Sequence, residues 1–370
     1  MTTRPRSPVT RSAVHVVIVM GAFAATVVSQ SPRREPRVLL GSQVVDCATG
    51  AVLGGVGSPE KIYLAYPQWS SPNSVSLQER TIDPDAAEVL VVGDRLRLLS
   101  LDGREAWAVD AAMLAPKAAH YTAPRCLAGD RVLLPHADGG LVALDRRTGA
   151  VAWHRPELPV DFVRVDAGLV VAAGVVAGRP RLHAVALENG ASAFDCVVPG
   201  PIGDLVVGSH GIAIVDLDGF TVHDRAGPRL FEVAHTPEEL WAGPEGWFGF
   251  RRGTLSRWSR TGECVGTMAI GGNDTKAEDL TVLADGSVML SWSAAKAPAT
   301  LFVSWFEADG TCRWQARIDD AFLHPTHALV STRVIGSRVL LVCATMVAWR
   351  LLEVDTTNGD FTERARTPLR

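Results

Sequence analysis

The chain has 370 residues, of which 47% are hydrophobic and 21% charged, a balance that excludes an intrinsically disordered protein. A formal charge of −4 leaves no basic field to neutralise phosphates, which argues against nucleic-acid binding. The six cysteines (Cys47, Cys126, Cys196, Cys264, Cys312, Cys343) form no CxxC pair, so they have neither metal-site spacing nor the density of a disulfide scaffold.

Residues 1–12 carry Arg4, Arg6 and Arg11 and read as a disordered tail. The apolar run 13–28 admits two readings. Ala22-Phe-Ala24 has the small-x-small form of a signal-peptide cleavage site, which would make the protein exported or periplasmic. Alternatively, the run supplies the first strands of a repeat. The stretch 27–50 parallels 170–190 in strand, Arg/Pro hairpin, strand and glycine-ended polar turn, and His15 sits awkwardly in a signal core. The strand reading, and with it a cytoplasmic protein, is favoured. The run is too short and glycine-interrupted for a stable membrane span, and no anchoring cysteine follows it.

Further along, apolar strands repeatedly end in a polar turn closed by glycine. The turns are Asp46–Gly50, Leu101–Gly103, Asp145–Gly149, Leu187–Gly190, Asp224–Gly227, Ser259–Gly262, Glu307–Gly310 and Asp355–Gly359. Their glycines are 53, 46, 41, 37, 35, 48 and 49 residues apart, the length of a four-stranded propeller blade. The leading acid or serine can accept hydrogen bonds from its own turn, and glycine takes the positive φ that closes it. An apolar or aromatic residue follows in each strand: Val52-Leu53, Trp107, Trp153, Phe194, Leu230-Phe231, Trp314 and Phe361. These are expected to wedge between neighbouring blades. Cys47, Cys264 and Cys312, in or just after turns, are expected as small apolar strand residues.

The clearest copy, Leu141-Val-Ala-Leu-Asp-Arg-Arg-Thr-Gly-Ala-Val-Ala-Trp153, resembles the repeat of pyrroloquinoline-quinone-like (quinoprotein-like) propellers. Weaker copies cover nearly the whole chain. The resemblance implies an all-β fold, residues 13–366 forming one propeller of four-stranded antiparallel blades, eight favoured and seven open. It does not imply the quinone. The family's dehydrogenases carry an adjacent Cys-Cys pair and a calcium site, and neither pattern is found here, so no cofactor or metal is expected. Non-catalytic members of the family serve as assembly and scaffolding subunits.

Candidate sites are sparse. Tyr63, Tyr66 and Trp69 lie in the long irregular stretch 59–88, where a core-edge reading competes with a partner-binding loop. His120, Tyr121 and His136 fall in loops between strands. Arg251 and Arg252 follow the aromatic run Trp247-Phe-Gly-Phe250, which together with Trp241 and Trp258 reads best as core. His324-Pro-Thr-His327 lacks helical HxxxH geometry and further ligands. Asp83/Asp85 and Asp216/Asp218 fit turn capping as well as acid–base chemistry. No GxSxG elbow, P-loop, HExxH or EF-hand loop occurs. The expectation is a monomeric, non-enzymatic scaffold with an unknown protein partner. Its alternatives are an exported ligand- or carbohydrate-binding propeller and an enzyme with an axial site.

Overall fold

A computed structural model of the chain describes residues 37–55, 88–112 and 126–368, apart from positions 41–42, 48, 93–94, 101–103, 111, 284, 298, 322, 325–326, 329, 336–337 and 346. The tail, the 13–28 run and Gly103 therefore lie outside the described residues.

Among the described residues, eight antiparallel sheets of three or four strands follow one another along the chain, each a simple meander. Sheet 1 has Arg37–Leu40, Gln43–Asp46 and Val52–Gly55. Sheet 2 has Glu88–Val92, Arg95–Ser100 and Glu105–Asp110. Sheet 3 has Cys126–Ala128, Arg131–Pro135, Leu141–Asp145 and Val151–Arg155. Sheet 4 has Phe162–Asp166, Leu169–Val176, Arg179–Ala186 and Ser192–Val197. Sheet 5 has Asp204–Gly208, Gly211–Val215, Phe220–His223 and Arg229–Val233. Sheet 6 has Glu239–Gly243, Gly246–Arg251, Thr254–Ser259 and Cys264–Ala269. Sheet 7 has Thr275–Val282, Val288–Ala294, Thr300–Phe306 and Cys312–Asp319. Sheet 8 has Val330–Ile335, Arg338–Ala344, Ala348–Val354 and Phe361–Pro368. A two-stranded hairpin, Leu323–His324 with His327–Ala328, stands between the last two.

From sheet 4 onward the first strands of consecutive sheets are neighbours, so they form the inner wall of a propeller. In sheets 3 to 8 the second and third strands are largely buried on both faces. They therefore read as continuous apolar runs, such as Leu141-Val-Ala-Leu144 and Gly211-Ile-Ala-Ile-Val215, rather than alternating ones. The core is a series of interlayers. One joins sheets 3 and 4 (Leu133, Trp153, Val170), the next sheets 4 and 5 (Val171, Leu182, Ile212), then 5 and 6 (Phe220, Trp247, Trp258). Others join sheets 6 and 7 (Phe250, Leu290) and sheets 7 and 8 (Trp305, Leu341). Sheet 1 packs on sheet 8 through Val45, Cys47, Leu340, Val342 and Trp349, and Arg338 Nη2 donates to the Cys47 carbonyl at 2.8 Å. The ring closes by face packing. The C-terminal strand pairs inside its own sheet and does not complete sheet 1.

The turns have the expected chemistry. Asp145 Oδ1 accepts from the backbone N–H groups of Arg147 and Thr148 and from the Thr148 hydroxyl, and Asp46 and Asp355 repeat most of this pattern. Gly50, Gly149, Gly190, Gly227, Gly262, Gly310 and Gly359 all have positive φ. Each of these glycines except Gly50 is also the seat of a side chain from the outer strand of the preceding sheet. A Cβ on Gly149 would sit 2.7 Å from the Trp107 ring, on Gly190 3.0 Å from Trp153, and on Gly359 2.6 Å from Trp314. Phe194 and Phe231 seat on Gly227 and Gly262 in the same way. The indoles add a hydrogen bond: Nε1 of Trp107, Trp153 and Trp314 donates to the carbonyls of Arg146, Leu187 and Thr356 at 2.6, 3.0 and 3.0 Å.

Three expectations need correction. Val52 and Leu53 do not wedge; both are exposed, and the bulge after the turn gives the wedge register to Gly54. Phe361 is not the wedge of sheet 8, because it pairs with Val354, one step before that register, and Gly50 instead abuts the Arg364 backbone. Cys264 and Cys312 are not interior; they lie exposed on outer strands, where alternate residues face water.

Candidate functional site

In a four-stranded meander, the first–second and third–fourth turns project from one end of the sheet. The second–third turns and the end of the outer strand project from the other. The two ends differ in how their polar groups are used.

At the glycine-turn end, side chains are committed to the fold. Arg146 Nη1 donates to the Gly129 carbonyl at 3.0 Å. Arg225 reaches the Asp166 carboxylate and the Gly208 carbonyl, tying sheet 5 to sheet 4. Arg260 donates to the Pro244 carbonyl and Glu245.

The opposite end carries a packed histidine pair and several exposed apolar side chains. His136 follows the second strand of sheet 3 and packs against His154, ring centroids 4.0 Å apart and tilted by 39°, and His154 Nε2 lies 2.9 Å from the Gly139 carbonyl. Because His136 Nδ1 accepts from the Asp138 N–H, its own proton is on Nε2. Val175 and Val197 of sheet 4 are exposed. In sheet 5 the turn Asp216-Leu-Asp-Gly219 presents Leu217, 83% exposed. That turn is pinned on three sides. Asp216 Oδ1 accepts from the Asp218 and Gly219 N–H groups, the Asp216 N–H donates to Gly219, and Thr236 Oγ1 donates to the Leu217 carbonyl at 2.7 Å. In sheet 6, Arg251 and Arg252 form the same turn, with Arg252 at φ +47° and its N–H on Glu238. Burial, with some help from Arg251, holds His235 below the usual imidazole range. Val347 of sheet 8 is exposed there too.

His136, Arg251 and Arg252 thus share one turn face with Leu217, although they sit on different sheets. Tyr63, Tyr66, Trp69, His120 and Tyr121 lie outside the described residues. Leu217 was not singled out from the sequence; the only signal was a large apolar residue between two turn-capping acids. Trp247, Phe248, Phe250 and Trp258 are buried, as expected of core residues. Asp216 acts as a turn cap.

The inner wall carries charge, but in ties between strands. Arg164 of sheet 4 lies 3.3 Å from Asp204 of sheet 5, whose carboxyl burial pushes up to about 6 against the pull of Arg164. Glu278, at a bulge in its strand, accepts from Lys276 and Ser293. Asp279 accepts the Thr332 N–H at 2.7 Å. Among the described residues no group of three His, Cys, Asp or Glu converges as metal ligands, and no helix is long and apolar enough to cross a membrane.

A family model described as outer membrane protein assembly factor BamB, of the pyrroloquinoline-quinone-like repeat type, matches residues 68–231. No curated protein matches the chain. Among solved structures, BamB from Moraxella catarrhalis is similar over 84% of this chain and 93% of its own, at 14% identity and a TM-score of 0.51. Dihydro-heme d1 dehydrogenase NirN is similar over 91% of this chain and 74% of its own, at 15% identity and a TM-score of 0.62. Identities this low speak to fold alone, and they agree with the strand order above: the chain is a β-propeller, within which residues 68–231 match a model of pyrroloquinoline-quinone-like repeats.

Proposed function

We propose that the protein is a non-enzymatic scaffold that holds a protein partner on the turn face carrying Leu217. The observation behind this reading is a large apolar side chain exposed on a turn whose backbone is fixed by hydrogen bonds from both flanks. A preorganised apolar anchor binds without the entropy cost of ordering a loop. Arg251 and Arg252 on the next sheet, with Asp216 and Asp218 beside the anchor, supply a polar rim of both signs. The matched family description, an assembly factor, is in keeping with this role. NirN, named a dehydrogenase, is the counterweight, since the same fold carries enzymes.

The test is site-specific photo-cross-linking in the native host. A photoreactive residue at position 217 is expected to give discrete protein adducts, and one at Arg147, on the glycine-turn end, none. Equal labelling at both positions, or none at 217, overturns the reading.

A second reading, an axial ligand or active site, draws on the charged inner strands. It predicts that Asp204→Asn and Glu278→Gln abolish binding of a small ligand while the 217 adducts persist.

A further inference from the structure

The last strand of each sheet is an edge, with one row of backbone N–H and C=O groups facing outward. Natural proteins blunt such edges with charge. Six of the outer strands here do so. Glu105–Asp110, Val151–Arg155, Ser192–Val197, Arg229–Val233, Cys312–Asp319 and Phe361–Pro368 each contain at least one Asp, Glu or Arg. Two do not. Val52–Gly55 is short and ends in two glycines. Cys264–Ala269 is six residues long, Cys-Val-Gly-Thr-Met-Ala, and every position but Met268 is exposed. Met268 turns inward onto Gly310 of the next sheet, which anchors the strand. Val265 is 53% exposed, and the space where a Gly266 Cβ would stand is open. Among the described residues, the strand's one ladder partner is Thr254–Ser259 on its inner side.

We propose that Cys264–Ala269 is a homotypic pairing edge, through which two copies of this chain join by antiparallel strand pairing across a two-fold axis. The charge pattern selects the occupant. A two-fold antiparallel pair lays a strand against its own reverse, so any charged residue risks meeting its like. On Cys312–Asp319, pairing centred on Gln315 would set Arg313 against Arg317 of the other copy, and both are exposed. On Cys264–Ala269 no register creates such a clash. Val265 and Thr267 are β-branched residues suited to a ladder, and Gly266 lets the second backbone approach. The area is small. A six-residue edge buries well under the ~1,200 Å² of stable complexes, so the dimer is weak and concentration-dependent. This inference is independent of the scaffold reading, because it concerns a different surface and a different partner.

The experiment is sedimentation velocity of the full chain, kept reduced, from about 5 to about 500 µM, the range in which an association of this size is populated. The mean sedimentation coefficient is expected to rise toward that of a dimer. Val265→Lys should weaken the association by about tenfold or more, since it places two like charges in the paired edge. Val151→Lys, equally exposed on an already charged outer strand, should leave it unchanged. Hydrogen exchange should show the 264–269 amides slowing as concentration rises. A chain that stays monomeric throughout, or a dimer that Val265→Lys leaves intact, overturns the proposal. So does one that both variants weaken equally. The concentration series of the unsubstituted protein decides the matter even if a variant folds poorly.

Discussion

The turn glycines answer two demands at once. Gly149 has φ +72°, which a Cβ resists, and the Trp107 ring lies where that Cβ would go. Strain and overpacking add, so Gly149→Ala is expected to cost about 2–4 kcal/mol in urea unfolding. Gly190→Ala should cost less, because its wedge stands further off at 3.0 Å. Trp107→Phe keeps most of the packing but leaves the Arg146 carbonyl without its buried donor, a loss of about 1–3 kcal/mol. A second prediction concerns Asp204. Burial raises its carboxyl to about 6 even with Arg164 beside it. A folded value above the unfolded one means that the native state takes up the proton. The stability this gives is therefore full at low pH and is lost as pH rises through about 6. Asp204→Asn removes the dependence. Measured against that variant from about pH 4 to 8, the wild type should lose ground by on the order of 2–3 kcal/mol. A constant gap would show that the carboxyl is not held up.

At the scale of the strand, the repeated device is a bulge between the last two strands, present in all eight of the sheets described. In sheet 3, Val151 opposes Leu144 and Trp153 opposes Ala143, leaving Ala152 as the extra residue. That one residue turns the indole from solvent to the interlayer, since side chains alternate along a strand. Deleting Ala152 is expected to expose Trp153, seen as a red-shifted emission and a lowered melting temperature. The bulge also marks the limit of what can be read from the chain. Asp145, Gly149 and Trp153 announce a capped turn and a wedge because their chemistry is local. The register between turn and wedge is not local, which is why Val52, Leu53 and Phe361 were misassigned. Sheet 8 places its bulge later, between Leu351 and Leu352. The Leu217 face was less legible still. Exposure depends on the neighbouring loop that brings Thr236 to the turn, and nothing in Asp-Leu-Asp-Gly distinguishes an exposed leucine from a buried one.

For the whole molecule, the question is what closes the ring. Sheets 3 to 8 each pack on the next with residues adjacent in sequence, but the contact of sheet 1 with sheet 8 joins segments about three hundred residues apart. Contacts of such separation form late in folding, because loop closure has to come before their reward. Trp349 is the largest side chain in that interlayer and is 4% exposed. Trp349→Ala should cost about 3–5 kcal/mol, as for other buried tryptophans. The loss should also be distributed in a particular way. Hydrogen exchange should rise in Gln43–Asp46 and Val52–Gly55 together with Arg338–Ala344, since sheet 1 has its described packing on this interlayer. Trp153→Ala, a comparable truncation between sheets 3 and 4, should raise exchange in those two sheets and leave the seam protected. Equal loosening of all sheets in both variants would mean that the ring melts as one unit rather than opening at its seam.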